Sequence, residues 1–358
     1  MRALAALCLI VLAALAAHGQ EAPAYKPPAD ARFTTSEVSI PVAAKDGAKA
    51  WAIAASLNVP KGEVPEGGWP AVFFISGSGI QDRHGMAGGM DIGTWEVLDA
   101  IANAGFVVLR ADDRATGGTP IGPEGIDPRE IGYHALVEDA RVCVKWLRAH
   151  ESVNKAKVFL VGHSEGGITA PILAGESLCA GVVFMAAPGR NMYDVIYEQV
   201  KDANAGLPAI TRTANLKVQK EFQDAVKEGR EPNYAILGKQ YEANLKQLWQ
   251  TQIEPGKKWM HEHYNLDIEK IHATVACPVF VAQGEADFQV KAVADGRQLA
   301  KNLLAGKCSD VTFRLYADLD HLFKACNGKP STLEMYKEKR AVDATFLKDL
   351  VQWLTARA

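Results

Sequence analysis

Residues 162–166 read Gly-His-Ser-Glu-Gly, a G-x-S-x-G pattern whose serine, Ser164, is a candidate nucleophile. The apolar, β-branched run Lys157-Val158-Phe159-Leu160-Val161 precedes it and predicts a buried strand, while Gly167 and the apolar residues 168–174 predict a helix behind it. A serine at the tip of such a turn lifts its hydroxyl above a sheet, and the glycines around it are required where a side chain would strike the neighbouring strand and helix. A serine hydroxyl is a poor nucleophile at neutral pH and needs a base within hydrogen-bond reach, for which His321 is the candidate. Asp287 is the candidate acid that fixes the imidazole tautomer and stabilises the imidazolium. Asp318 and Asp320 lie close before His321 in sequence and compete for that role. Attack on a carbonyl also builds charge on oxygen, which calls for preorganised N–H donors. The candidates are the backbone N–H of Glu165, after the serine, and that of Ser78, with Gly79 as the alternative, in the loop Ser76-Gly77-Ser78-Gly79-Ile80-Gln81-Asp82-Arg83.

These groups need a scaffold that brings them to one edge. Asp287 ends the loop Gln283-Gly284-Glu285-Ala286-Asp287, after the strand-like run Cys277-Pro278-Val279-Phe280-Val281-Ala282. His321 follows Val311-Thr312-Phe313-Arg314-Leu315-Tyr316 and a short polar loop. Each of the three therefore lies just past the carboxyl end of a predicted strand, and in an open parallel sheet those ends share one rim. Further strands are predicted over 36–41 and 51–59, joined by Lys45-Asp46-Gly47, and over 71–75, 106–110 and 180–186. Helical spacing covers 94–103, 132–150, 290–304 and 341–355. The alternation predicts an α/β fold with a mostly parallel sheet of about eight strands and helices on both faces. Residues 188–274 break the rhythm with charged helices over 193–203, 215–228, 234–252 and 259–263, which predicts a helical cap inserted over the pocket. The expected division is a core of 20–187 and 275–358, with 188–274 as the cap. Asp112-Asp113-Arg114, past the fourth strand, is expected to form ion pairs bracing the same rim.

The remaining sequence narrows the function classes. The chain has 358 residues, 48% of them hydrophobic, and a net charge of −3, so it predicts a large buried core and no nucleic-acid surface. Arg2, the apolar run 3–17 and Ala17-His18-Gly19 predict an export signal over 1–19, cut after Gly19, with a periplasmic or secreted product and no stable membrane insertion. Cys8 leaves with that segment, so five cysteines remain, and Cys308 with Cys326, which bracket the His321 loop, is the expected disulfide. Buried thiols are expected at Cys143, Cys179 and Cys277. His261-Glu262-His263 lacks the one-turn spacing of H-E-x-x-H, so no metal site is expected, and His163 is read as structural. The Gly77 loop lacks a Walker lysine or a full dinucleotide fingerprint, which leaves no cofactor implied.

With Ser164, Asp287, His321 and Gly77-Ser78-Gly79 in place, the chain resembles the α/β-hydrolase superfamily, whose members carry serine, acid and histidine in that order. Within it the chain looks like carboxylesterases related to acylaminoacyl- and dipeptidyl-peptidases. The points of likeness are Gly77-Ser78-Gly79 with Gln81-Asp82-Arg83, then Asp112-Asp113-Arg114, residues 162–167, Cys277-Pro278-Val279, residues 284–290, and Leu319-Asp320-His321-Leu322-Phe323. Ile80 stands where relatives often carry proline, and Ala115-Thr116-Gly117-Gly118 replaces a more glycine-led turn. The resemblance implies an α/β-hydrolase fold, a lid, and cofactor-free hydrolysis of small short-acyl esters. A peptidase of the same fold and a non-catalytic binding protein on the same scaffold are the alternatives.

Overall fold

The computed structural model describes residues 25–44, 49–87 and 90–358. The expected export signal and the Lys45-Asp46-Gly47 turn lie outside the described residues. Eight strands form one sheet: β1 (Phe33–Val42), β2 (Trp51–Pro60), β3 (Trp69–Ile75), β4 (Val107–Ala111), β5 (Val153–His163), β6 (Gly181–Met185), β7 (Val279–Gly284) and β8 (Val311–Tyr316). Their spatial order is β1-β2-β4-β3-β5-β6-β7-β8, and β2 alone runs against the others. Every residue of β6 and β7 is buried, which is why these strands read as unbroken apolar runs rather than alternating ones.

Helices cover both faces. On one face lie α1 (Thr94–Asn103), through Leu98 and Ile101, and a C-terminal helix (Ala344–Thr355), through Phe346, Leu350 and Trp353. On the other lie α2 (Tyr133–Ala149), α3 (Gly166–Gly175) and a later helix (Gln298–Ala305). Between β6 and β7 the chain builds α4 (Met192–Ala203), α5 (Ala209–Glu228), α6 (Glu242–Leu248), α7 (Lys257–Tyr264) and α8 (Ile268–Thr274). In chain order the two later helices are α9 (Gln298–Ala305) and α10 (Ala344–Thr355). Ile196, Val200, Phe222, Trp249 and Tyr264 of the insertion join the apolar core of the second face without a break. Burying each such side chain is worth roughly 1.5–3 kcal/mol, so the insertion is held mainly by apolar contact.

The expected helix over 234–252 starts later. Asn233 Oδ1 accepts from Ala235 N–H at 3.1 Å and Gly238 sits at φ +110°, so a turn forms first and α6 begins only at Glu242. Likewise 290–304 opens with a π-helical turn, Ala292–Arg297, before α9. The expected Cys308–Cys326 disulfide is absent, and both thiols are free and buried. Cys308 Sγ donates instead to the Cys277 carbonyl at 3.2 Å. Among the described residues no helix is long and apolar enough to cross a membrane.

Candidate active site

The turn after β5 carries Ser164 at φ +52°, a left-handed conformation that costs a non-glycine residue roughly 1–3 kcal/mol. Ser164 N–H donates to Met185 O at 2.9 Å, tying the turn to the end of β6. A Cβ on Gly162 would overlap the Gly166 carbonyl, and one on Gly166 would overlap the Ile75 carbonyl of β3. The glycines thus permit the close strand–turn–helix contact that lifts the serine. Gly77 passes equally near, since a Cβ there would lie 3.0 Å from Ser164 Cβ. The loop proposed to donate to an oxyanion therefore lies against the serine.

Asp287 and His321 converge from the ends of β7 and β8. His321 Nδ1 donates to Asp287 Oδ2 at 2.8 Å, with both side chains buried. The other carboxylate oxygen accepts from Gln289 N–H at 2.8 Å and Val290 N–H at 3.0 Å, and Gln283 Nε2 donates to Oδ2 at 3.0 Å. Neither rival carboxylate takes this place. Asp320 accepts from Leu322 N–H, Lys324 N–H and Arg340 Nη2, and Asp318 accepts from Gly328 N–H. They shape the loop while Asp287 holds the ring.

His163, the residue before Ser164, connects the two halves of the site. Its Nε2 donates to the His321 carbonyl at 3.0 Å, and the two rings lie 4.8 Å apart. Burial, reinforced by His321, pushes its pKa down to about 3, so the ring is neutral and its Nε2 carries the proton. Ser164 and His321 are not hydrogen-bonded in this structure; contact between their segments runs through His163. Such bonds commonly tighten only once substrate is bound.

The rim is braced from β4. Arg83 makes two side-chain bonds to Asp112, at 2.9 and 2.6 Å, and Arg114 pairs with Asp139. Asp113 accepts from Ser76 Oγ at 2.7 Å and Gln81 N–H at 3.0 Å, pinning the Gly77 loop at both ends. Burial pushes the Asp113 carboxyl up to about 7, with the Glu165 charge adding to it against the hydrogen bonds from Ser76 and Gln81.

A cavity of about 440 Å³ runs between this rim and the helical insertion. Gly77, Ser78 and Glu165 line it on the sheet side, and Phe222, Trp259 and Met260 on the other. Ser164 and His321 are not in its wall; Glu165, the residue after Ser164, is. Burial pushes the Glu165 carboxyl up, but His263, Ser78 and Trp259 together outweigh burial and hold it below its ordinary value. Among the described residues no three His, Cys, Asp or Glu side chains converge on a metal position. His261, Glu262 and His263 turn to three different partners: the Val226 carbonyl, the His134 N–H and Glu165.

Sequence reasoning missed Gln283, the Glu165 side chain, Trp259 and the bracing role of His163. Only His163 carried a signal, its fixed place at the end of the strand that presents the serine.

Comparison with known proteins places this geometry in context. A family model described as serine aminopeptidase, S33, matches residues 84–324. Esterase EstD of Thermotoga maritima is 25% identical over 300 residues, which cover 83% of this chain and 64% of EstD, so the chain spans under two thirds of that relative. An esterase of Pyrococcus furiosus shares the fold at a TM-score of 0.56 and 14% identity, over 94% of this chain and 96% of its own. EstE1, a thermostable carboxylesterase cloned from a metagenomic library, aligns at a TM-score of 0.51 and 18% identity, over 93% and 91%.

Proposed function

Since the chain belongs to the serine aminopeptidase S33 family of α/β hydrolases, we propose that it is an exported serine hydrolase that cleaves short-acyl carboxylic esters. The supporting observation is the Asp287–His321 bond at the rim, one neighbour away from a serine in a left-handed turn. Ser164 Oγ attacks the acyl carbon while His321 Nε2 takes its proton. Asp287 accepts from Nδ1–H throughout, which leaves Nε2 free to act as the base. Charge developing on the carbonyl oxygen is met by the backbone N–H groups of Ser78 and Glu165. Collapse breaks the bond to the alkoxy oxygen, which leaves as an alcohol with the proton from His321. Water, activated by the same imidazole, then hydrolyses the acyl-enzyme.

In this reading helices α4 to α8 are the cap, and the largely apolar cavity beneath them takes a small ester. Similarity to a relative named an esterase supports an ester substrate for this chain, whereas the family description, serine aminopeptidase, supports a peptide with a free amine. A panel of p-nitrophenyl esters beside amino-acyl p-nitroanilides decides between them. Ser164→Ala is expected to abolish ester turnover with the thermal midpoint unchanged, and a fluorophosphonate should label the parent protein at Ser164 only. Substantial turnover by Ser164→Ala would refute the acyl-enzyme. Export is proposed from residues 1–19; a mature protein with an N-terminus other than Gln20 would contradict the cleavage site.

A further inference from the structure

Helix α7 carries Trp259, Glu262 and His263 at spacings of three and four residues, which puts all three on one face. That face meets the core at two points. Glu262 accepts from His134 N–H at 2.7 Å, satisfying a free donor in the first turn of α2. Trp259 Nε1 and His263 Nε2 both donate to Glu165 Oε1, each at 2.8 Å. The His263 ring has no other polar partner, since its Nδ1 is buried and unbonded, and it lies 3.8 Å from the Tyr133 ring centroid. His261, between them, faces the other way and accepts no part in this contact; its Nδ1 bonds the Val226 carbonyl of α5 and so joins α7 to the rest of the insertion.

The carboxylate that receives these bonds belongs to the residue after Ser164. Ser78 adds a side-chain interaction that helps hold the same carboxylate below its ordinary pKa. One buried charge therefore joins the cap to both residues whose N–H groups are read as oxyanion donors. Lifting α7 would strip that charge of two of its donors, and a buried carboxylate without donors is costly. Its relief requires Glu165, and with it the turn one bond from Ser164, to move.

We propose that Glu165 is a positioning residue whose side chain is the catch for the cap, so that a docked α7 sets the oxyanion donors and an undocked α7 disorganises them. The proposal rests on the reading of Ser164 as nucleophile. It assigns a task to the His-Glu-His stretch that the triad leaves unused.

The test compares Glu165→Ala with Glu165→Gln in the full chain, measuring kcat and KM on p-nitrophenyl acetate and amide hydrogen exchange over 257–264. Gln keeps an oxygen that accepts from Trp259 and a neutral His263; Ala does not. For Glu165→Ala, kcat is expected to fall about 30- to 100-fold with KM within about threefold, the pattern of a transition-state contact. Exchange in α7 should quicken at least about tenfold, the signature of local opening. Glu165→Gln should recover kcat to within about fivefold of the parent and keep exchange slow. A loss of kcat without faster exchange in α7, or the reverse, would overturn the catch. If Glu165→Ala fails to fold, the cap pair Trp259→Phe with His263→Leu, which leaves the core unchanged, must produce both changes together, and either change alone refutes the proposal. Turnover surviving in Ser164→Ala would sink the nucleophile reading by itself, while the exchange comparison still decides whether Glu165 holds α7.

Discussion

Replacing Asp287 by Asn separates holding the imidazole from merely filling the space beside it. Two backbone donors, Gln289 N–H at 2.8 Å and Val290 N–H at 3.0 Å, hold one carboxylate oxygen. An asparagine must keep its carbonyl oxygen there, because turning the amide around would set its NH2 against two N–H groups. Its NH2 then faces His321 Nδ1 and Gln283 Nε2, both of which donate to Asp287 in the parent. His321 can accept from that NH2 only as the tautomer protonated on Nε2, which leaves no lone pair for the Ser164 proton. Loss of the base's tautomer in this way costs about 10⁴-fold in kcat elsewhere, or about 5.5 kcal/mol of barrier. The new donor–donor contact with Gln283 should also remove about 1–3 kcal/mol of stability. The assay is kcat and KM on p-nitrophenyl acetate at neutral pH, beside urea unfolding. A folded Asp287→Asn that loses less than tenfold in kcat would refute the reasoning, and a dead Asp320→Asn beside it would move the acid to Asp320.

His163→Leu should lower kcat about 10- to 100-fold in a folded protein, because the His321 carbonyl loses its donor and the ring its fixed height; unchanged kcat would show that His163 only fills space. Asp113 supplies a pH test of stability. Its folded-state pKa of about 7 lies above the unfolded value of 3.8, so the native state binds more protons between them, and this group's stabilisation is full below about pH 4 and lost as pH rises through 7. Because the carboxyl still borders the cavity, the loss from pH 5 to pH 8 should be about 2 kcal/mol rather than the full shift, and it should vanish in Asp113→Asn. Equal slopes for parent and variant in urea midpoints at the two pH values would contradict that account.

Local chemistry made much of this protein legible without coordinates. An unbroken apolar strand, a glycine-flanked serine and a helix in succession leave few backbone solutions, so the Ser164 turn, the alternation of strands and helices, and the rim shared by Ser164, Asp287 and His321 followed from spacing alone. Other features depend on partners far away in the chain. Asp287 stands first because it ends the loop after a predicted strand, but whether it, Asp318 or Asp320 meets the imidazole depends on which loop closes over which. The Cys308–Cys326 expectation failed for the same reason, since flanking one loop in sequence does not bring two thiols together in space. Glu165 lies about a hundred residues before Trp259 and His263 and meets them only when the insertion folds back onto the turn. Short-range rules act through the backbone and its near neighbours, whereas a buried charge takes whichever donors the packed chain delivers, and only the tertiary structure decides which those are.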